Sequence, residues 1–142
     1  FDLPSYAEMC RSLDIPVLAA ETSDGCHWNA ATWIQYRALD MMRTSAGYKG
    51  GITGAIKIAH LAESFGMRAQ VHGGGYANAH LCAAIPNKDY YEELVISTEQ
   101  IKGLKSQGDL SIVDGYLTVP NTPGIAPHPD WKEIEAKAVL TV

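Results

Sequence analysis

The segment from Leu39 to His72 constrains this chain more than any other part of it. Two short apolar runs, Leu39 to Thr44 and Met67 to His72, flank a stretch in which Ile52, Ala55, Ile56, Ala59 and Ala62 recur at i, i+3, i+4, i+7 and i+10. That spacing lays one apolar stripe along a helix from Ile52 to Phe65. Gly66 stands just past its end, where a left-handed residue commonly stops a helix. Strand, helix and strand in such close succession imply a right-handed crossover and a parallel sheet.

The alternation extends in both directions. Leu3 to Leu13 reads as a helix, with Pro4 or Ser5 near its start and Tyr6, Met9 and Leu13 on one side. Ile15 to Glu21 is a short apolar run ending in an acid, which suits a buried strand. Thr22-Ser-Asp-Gly25 is turn chemistry, and His27 to Arg37 is helical in character. Ala77 to Ile85 follows as a short helix, and Tyr90 to Val95 as a fourth strand. The order is βαβαβαβ, an α/β protein. Beyond Ser97, Leu110 to Val119 breaks at Asp114-Gly115 and reads as a hairpin. Pro120 to Pro129 is a proline-rich loop, and Asp130 caps a helix reaching Ala138. Four parallel strands are half of those a barrel needs. Either the sheet is small and doubly wound, or a partner half is missing.

Composition narrows the function classes. With 142 residues, 46% of them hydrophobic, the chain suits one globular domain. A net charge of −5 with no run of Lys or Arg argues against a nucleic-acid partner. The apolar runs are too short to cross a bilayer. Cys10, Cys26 and Cys82 lie far apart with no C-x-x-C pair, which disfavours a disulfide framework or a structural zinc site and suits a reducing cytoplasm. There is no signal-peptide pattern, and the opening on Phe1 leads us to expect a piece of something longer.

In parallel α/β folds, ligands gather at the carboxyl ends of the strands. Glu21, Ser45 and His72 occupy those ends here, with Glu92 early in the fourth strand. Side-chain alternation puts Val17, Ala19 and Glu21 on one face, as it does Met41, Arg43 and Ser45, and Arg68, Gln70 and His72. Two acids and a histidine around one cavity could supply a hard-metal ligand, a proton-transfer base and a hydrogen-bond donor. Each also has a plain structural reading: a solvated loop acid, a structural histidine beside three glycines, a charged strand end. His72-Gly-Gly-Gly75 copies the oxyanion motif of lipases, but the chain has no G-x-S-x-G nucleophile elbow. Gly50-Gly51-Ile-Thr-Gly54 could hold an anion at a helix start, without the Lys-Ser/Thr end of a P-loop.

Together, Glu21, the run GGITGAIKIAHLAESFG from Gly50 to Gly66, His72 and Tyr90-Tyr-Glu92 resemble the enolase superfamily, in its mandelate racemase-like branch. The likeness runs from Phe1 to about Trp131, with Pro120 to Trp131 resembling the tail that ends these barrels. It implies a TIM-type (β/α)7β barrel with an α+β capping domain. On this reading residues 1–97 are its second half, the last four strands with their helices. Residues 98–142 are the hairpin, loop and helix returning toward the absent cap. The resemblance further implies that Glu21 is the last of three carboxylate ligands of Mg²⁺, the other two lying before Phe1. His72 then matches the general base, and Glu92 the acid that donates a hydrogen bond to the substrate carboxylate. Removing a proton α to a carboxylate gives an enediolate, whose charge a divalent cation offsets; Glu92 helps only when it carries its proton, so an apolar, crowded pocket is expected around it.

The pattern departs at Ser45, where racemase-like members carry an Asp paired with the histidine and cycloisomerases a lysine. With Ser45 at that catalytic position the His–Asp dyad is absent. Arg43 on the same face is expected to bind the substrate's carboxylate or hydroxyls, or to form an ion pair in the core. Lys49 is expected to be a solvated loop residue, and His60 and His80 to have no catalytic part. Dehydration needs one base, so the expected function is an acid-sugar dehydratase acting on a small polyhydroxy carboxylate. Racemase/epimerase, cycloisomerase and non-catalytic half-barrel are the alternatives. The expected setting is a cytoplasmic homo-oligomer containing the N-terminal half of the same protein, with no nucleic acid or membrane partner.

Overall fold

The computed structural model describes residues 2–22, 25–93, 97–99, 110–125 and 130–139. Helix α1 (Leu3–Ser12) starts on Asp2, whose carboxylate accepts the Ser5 N–H at 3.2 Å, with proline in the first turn. Strand β1 is only Leu18–Ala19, shorter than the expected Ile15–Glu21 run. Helix α2 (Ala30–Gln35) follows a turn over residues 25–29. Next come β2 (Met41–Thr44), α3 (Gly51–Ser64), β3 (Ala69–Val71) and α4 (Tyr76–Ala84).

The three strands form a parallel sheet in the order β1-β2-β3. Met42 pairs with both Ala19 and Ala69, Arg43 with Gln70 and Thr44 with Val71. This register carries Arg43 and the residue after β3, His72, toward one end of the sheet. Helix α3 packs on β2 and β3, and α4 on β3 and α3. The stripe on α3 buries Ala55, Ile58, Ala59 and Ala62, while Ile56 packs at the margin of the core. Small side chains let the helix lie close to the sheet, near enough for Thr44 Oγ1 to donate to the Ala55 carbonyl at 3.1 Å. Met42, Ile58, Leu81 and Ile85 are almost wholly buried, each worth about 1.5–3 kcal/mol relative to exposure. Gly66 takes φ +69° and ends α3 as expected.

The fourth strand differs from expectation. Tyr90 to Glu93 is not in a strand, and residues 94–95 lie outside the described set. Side chains tether this segment instead of a ladder. Asn87 donates to the carbonyls of Ala59 and Met67, both at 3.0 Å, and its own carbonyl accepts the Ala69 N–H at 2.9 Å.

The hairpin is as expected: β4 (Ser111–Val113) pairs antiparallel with β5 (Tyr116–Thr118). Asp114 and Gly115 both have positive φ, the turn chemistry that matches strand twist. Helix α5 (Trp131–Lys137) starts on Asp130, which accepts the Glu133 N–H at 3.1 Å. The part of the proline-rich loop over residues 126–129 lies outside the described residues. The three cysteines are free. No helix among the described residues is long and apolar enough to cross a membrane.

Candidate active site

Four of the five residues singled out from the sequence meet at the carboxyl end of the sheet. Arg43, the third residue of β2, is the hub. Its Nε–H donates to Glu21 Oε2 at 2.9 Å and its Nη2 to Glu92 Oε2 at 2.6 Å. His72 Nδ1 lies 3.2 Å from Glu92 Oε1, 3.4 Å from Glu21 Oε2 and 3.2 Å from Arg43 Nη2. Both glutamates accept from a single guanidinium whose side chain is only 13% exposed. Charge-assisted, part-buried contacts of this kind are stronger than surface ion pairs.

Glu21 reaches the cluster by a route that side-chain alternation did not foresee. Strand β1 ends at Ala19, and Ala20 adopts φ +71°, a conformation that residues bearing a Cβ rarely take. This reversal, rather than extended backbone, places Glu21. Glu92 likewise departs from expectation. Instead of a crowded apolar pocket it has an ion pair with Arg43, and its side chain is 32% exposed.

Ser45 is buried at the same strand end, but its Oγ accepts the Gly47 N–H at 3.1 Å and makes no hydrogen bond to His72. Lys49 corrects the sequence reading outright: it is 1% exposed, not a solvated loop residue. The tight turn before α3 draws it inward, and a Cβ on Gly54 would run into the Lys49 carbonyl oxygen. The glycine of GGITG is therefore a packing requirement. His60 lies on the exposed side of α3, and His80 lies within α4.

Sequence reasoning missed three contributors. Asn78, in the first turn of α4 and 7% exposed, ties two loops together. Its Oδ1 accepts the Ala46 N–H at 2.9 Å, and its Nδ2 donates to the carbonyls of His72 at 3.0 Å and Gly74 at 3.3 Å. Tyr91 pins the far end of that loop: its hydroxyl accepts the Gly75 N–H at 2.7 Å and donates to Glu93 Oε1 at 2.5 Å. Burial, and then Glu93, push its phenol well above the ordinary tyrosine range. Tyr48 sets its ring 5.5 Å from the His72 imidazole, tilted by 37°. An asparagine just past a glycine-rich loop is no signal by itself. Among the described residues, no three His, Cys, Asp or Glu side chains are arranged to hold a metal ion by themselves.

A cation, a base and two acids at a parallel strand end are a setting for proton transfer next to an anionic group. The family described as enolase C-terminal domain-like matches residues 1–133. The chain is 33% identical over 116 residues to a D-galactonate dehydratase family member of Oceanicola granulosus, covering 77% of this chain and 28% of the relative. It is 26% identical over 124 residues to an arabinonate dehydratase of Saccharolobus solfataricus, covering 84% and 32%. Among solved structures, D-glucarate dehydratase from Agrobacterium tumefaciens complexed with magnesium superposes with a TM-score of 0.82 at 36% identity, covering 94% of this chain and 36% of that one. The chain thus spans about a third of the length of the proteins it matches. It belongs to the enolase C-terminal domain-like family, whose domain is a TIM-type barrel.

Proposed function

We propose that this chain is the second half of the barrel of a Mg²⁺-dependent acid-sugar dehydratase. The observation that carries the reading is the convergence of His72, Glu92, Glu21 and Arg43 at one strand end. For His72 to act as base through Nε2, its hydrogen must sit on Nδ1, and Glu92 Oε1 at 3.2 Å is placed to accept it. Arg43 Nη2 then donates to Glu92 Oε2 and makes no hydrogen bond to the protonated Nδ1. His72 takes the proton α to the substrate carboxylate and returns it to the departing β-hydroxyl, so that water leaves. Glu92 first orients His72; service as an acid toward substrate requires it to take up a proton.

Glu21 suits one position of a hard-cation site. Its contacts all fall on Oε2, and Oε1 makes none among the described residues. A bound Mg²⁺ would offset the charge gathering on the substrate carboxylate. The remaining ligands would come from beyond the described residues. The magnesium in the Agrobacterium structure supports this reading, as do the dehydratase relatives. A racemase or epimerase needs a second base on the opposite face; no described residue of this cluster supplies it, and Ser45 supplies no carboxylate to His72.

The test is exchange and dehydration in the full-length protein that carries this chain, with Mg²⁺. Galactonate, arabinonate and glucarate are incubated in D₂O and followed by proton NMR. At least one should exchange its α-proton and lose water, and His72→Asn should abolish both. Exchange without loss of water would favour the epimerase reading. Retained exchange in His72→Asn would remove His72 from the role.

A further inference from the structure

Arg43 holds Glu21, the carboxylate assigned above to a hard-cation site. A guanidinium cannot be deprotonated in a protein, so its charge stands permanently 2.9 Å from Glu21 Oε2. It is also anchored, because Nη2 is bound to Glu92 at 2.6 Å and the side chain is 13% exposed. Glu21 is the less fixed partner: its side chain is 38% exposed, and Oε1 is unengaged among the described residues. The same carboxylate therefore faces a resident cation on one oxygen and has the other to give.

Resting on the magnesium reading above, we propose that Arg43 is a built-in competitor for the cation at Glu21. It pre-positions the carboxylate and neutralises it, and the incoming ion has to share Glu21 with the guanidinium or displace it. The cost to the ion is electrostatic. A unit charge about 6 Å from a divalent ion lowers its affinity about ten-fold even at the dielectric of water, and by more where solvent is partly excluded.

The experiment uses the full-length protein and Mn²⁺ as probe, with free ion followed by electron paramagnetic resonance. Arg43→Gln, which removes the charge, should bind Mn²⁺ about ten-fold more tightly than the wild type. Arg43→Lys, which keeps the charge and loses the fork, should stay near the wild type. A folded Arg43→Gln protein that binds Mn²⁺ no more tightly overturns the proposal. Should that variant fail to fold, the ¹⁵N resonance of the Arg43 Nε–H in the wild type decides. Mg²⁺ should shift it as Glu21 is shared, and an unmoved resonance at Mg²⁺ concentrations that displace bound Mn²⁺ from the wild type overturns the proposal. Binding of Mn²⁺ by neither wild type nor variant overturns the magnesium reading together with this one, whereas binding by both with equal affinity overturns only the competitor.

Discussion

Replacing Asn78 probes how the loop that carries His72 is held. The side chain uses both amide hydrogens and one lone pair: Nδ2 donates to the His72 and Gly74 carbonyls, and Oδ1 accepts from the Ala46 N–H. The orientation is unambiguous, because a flipped amide would set two hydrogens against the Ala46 N–H and an oxygen against two carbonyls. Asn78→Ala removes three hydrogen bonds and leaves those backbone groups to whatever water reaches them. At about 1 kcal/mol for each bond, the loss is about 3 kcal/mol. Asn78→Asp has the same shape and keeps the bond to Ala46, yet it turns a carboxylate oxygen toward two carbonyl oxygens. Two lost bonds plus that repulsion make it cost at least as much as the alanine, about 3–4 kcal/mol. The assay is urea unfolding of the full-length protein and its two variants, read by circular dichroism. The order wild type, then Asn78→Ala, then Asn78→Asp is expected. An Asn78→Asp protein as stable as the wild type, or clearly more stable than Asn78→Ala, would refute the reasoning, since only the donor pair distinguishes them.

Two further positions around the same site give predictions. Tyr91 titrates above the ordinary value of 10.0 because burial and Glu93 disfavour its phenolate. The unfolded chain therefore ionises first, and stability is lost as pH rises through 10. Tyr91→Phe should be less stable at pH 7, through the Gly75 and Glu93 bonds it lacks. Its deficit in thermal midpoint should narrow between pH 9.5 and about 11; a deficit that widens there would contradict the assignment. At Ala20, Ala20→Gly relieves about 1–2 kcal/mol of left-handed strain. It forfeits about 0.8 kcal/mol of buried methyl and about 0.5–1 kcal/mol of chain entropy, so a near-neutral thermal midpoint is expected. Ala20→Val, which adds a branched Cβ at φ +71°, should lower it markedly; equal midpoints for the two variants would remove strain as the reason Glu21 turns inward.

Much of the fold is legible along the chain because it depends on neighbours a few residues apart. The α3 stripe, the stop at Gly66, the Asp114-Gly115 turn and the Asp130 cap all follow from local spacing and local backbone preference. The boundaries were less legible. The expected strand Ile15–Glu21 shrinks to Leu18–Ala19, and Tyr90–Glu93 lies outside any ladder. An apolar run marks what can be buried, whereas a strand also needs a partner at the right register. Ile58 displaces Ile52 as a core residue of α3, since contact with β2 and β3, not the period alone, decides which edge of the stripe is covered.

By itself, then, the order of residues determined that this is a parallel α/β chain with polar groups at its strand ends, and it named Glu21, Arg43, Ser45, His72 and Glu92 as the residues to watch. Only the tertiary structure decided what they do to one another. Arg43 joining Glu21 to Glu92 spans 22 residues on one side and 49 on the other. Ser45 turning to Gly47, Lys49 going inside and Asn78 bridging two loops likewise depend on how three strands and two helices close together. Charge pairing is short-ranged in space and indifferent to distance along the chain. It therefore becomes visible only when the β1-β2-β3 register has set those side chains within about 3 Å of one another.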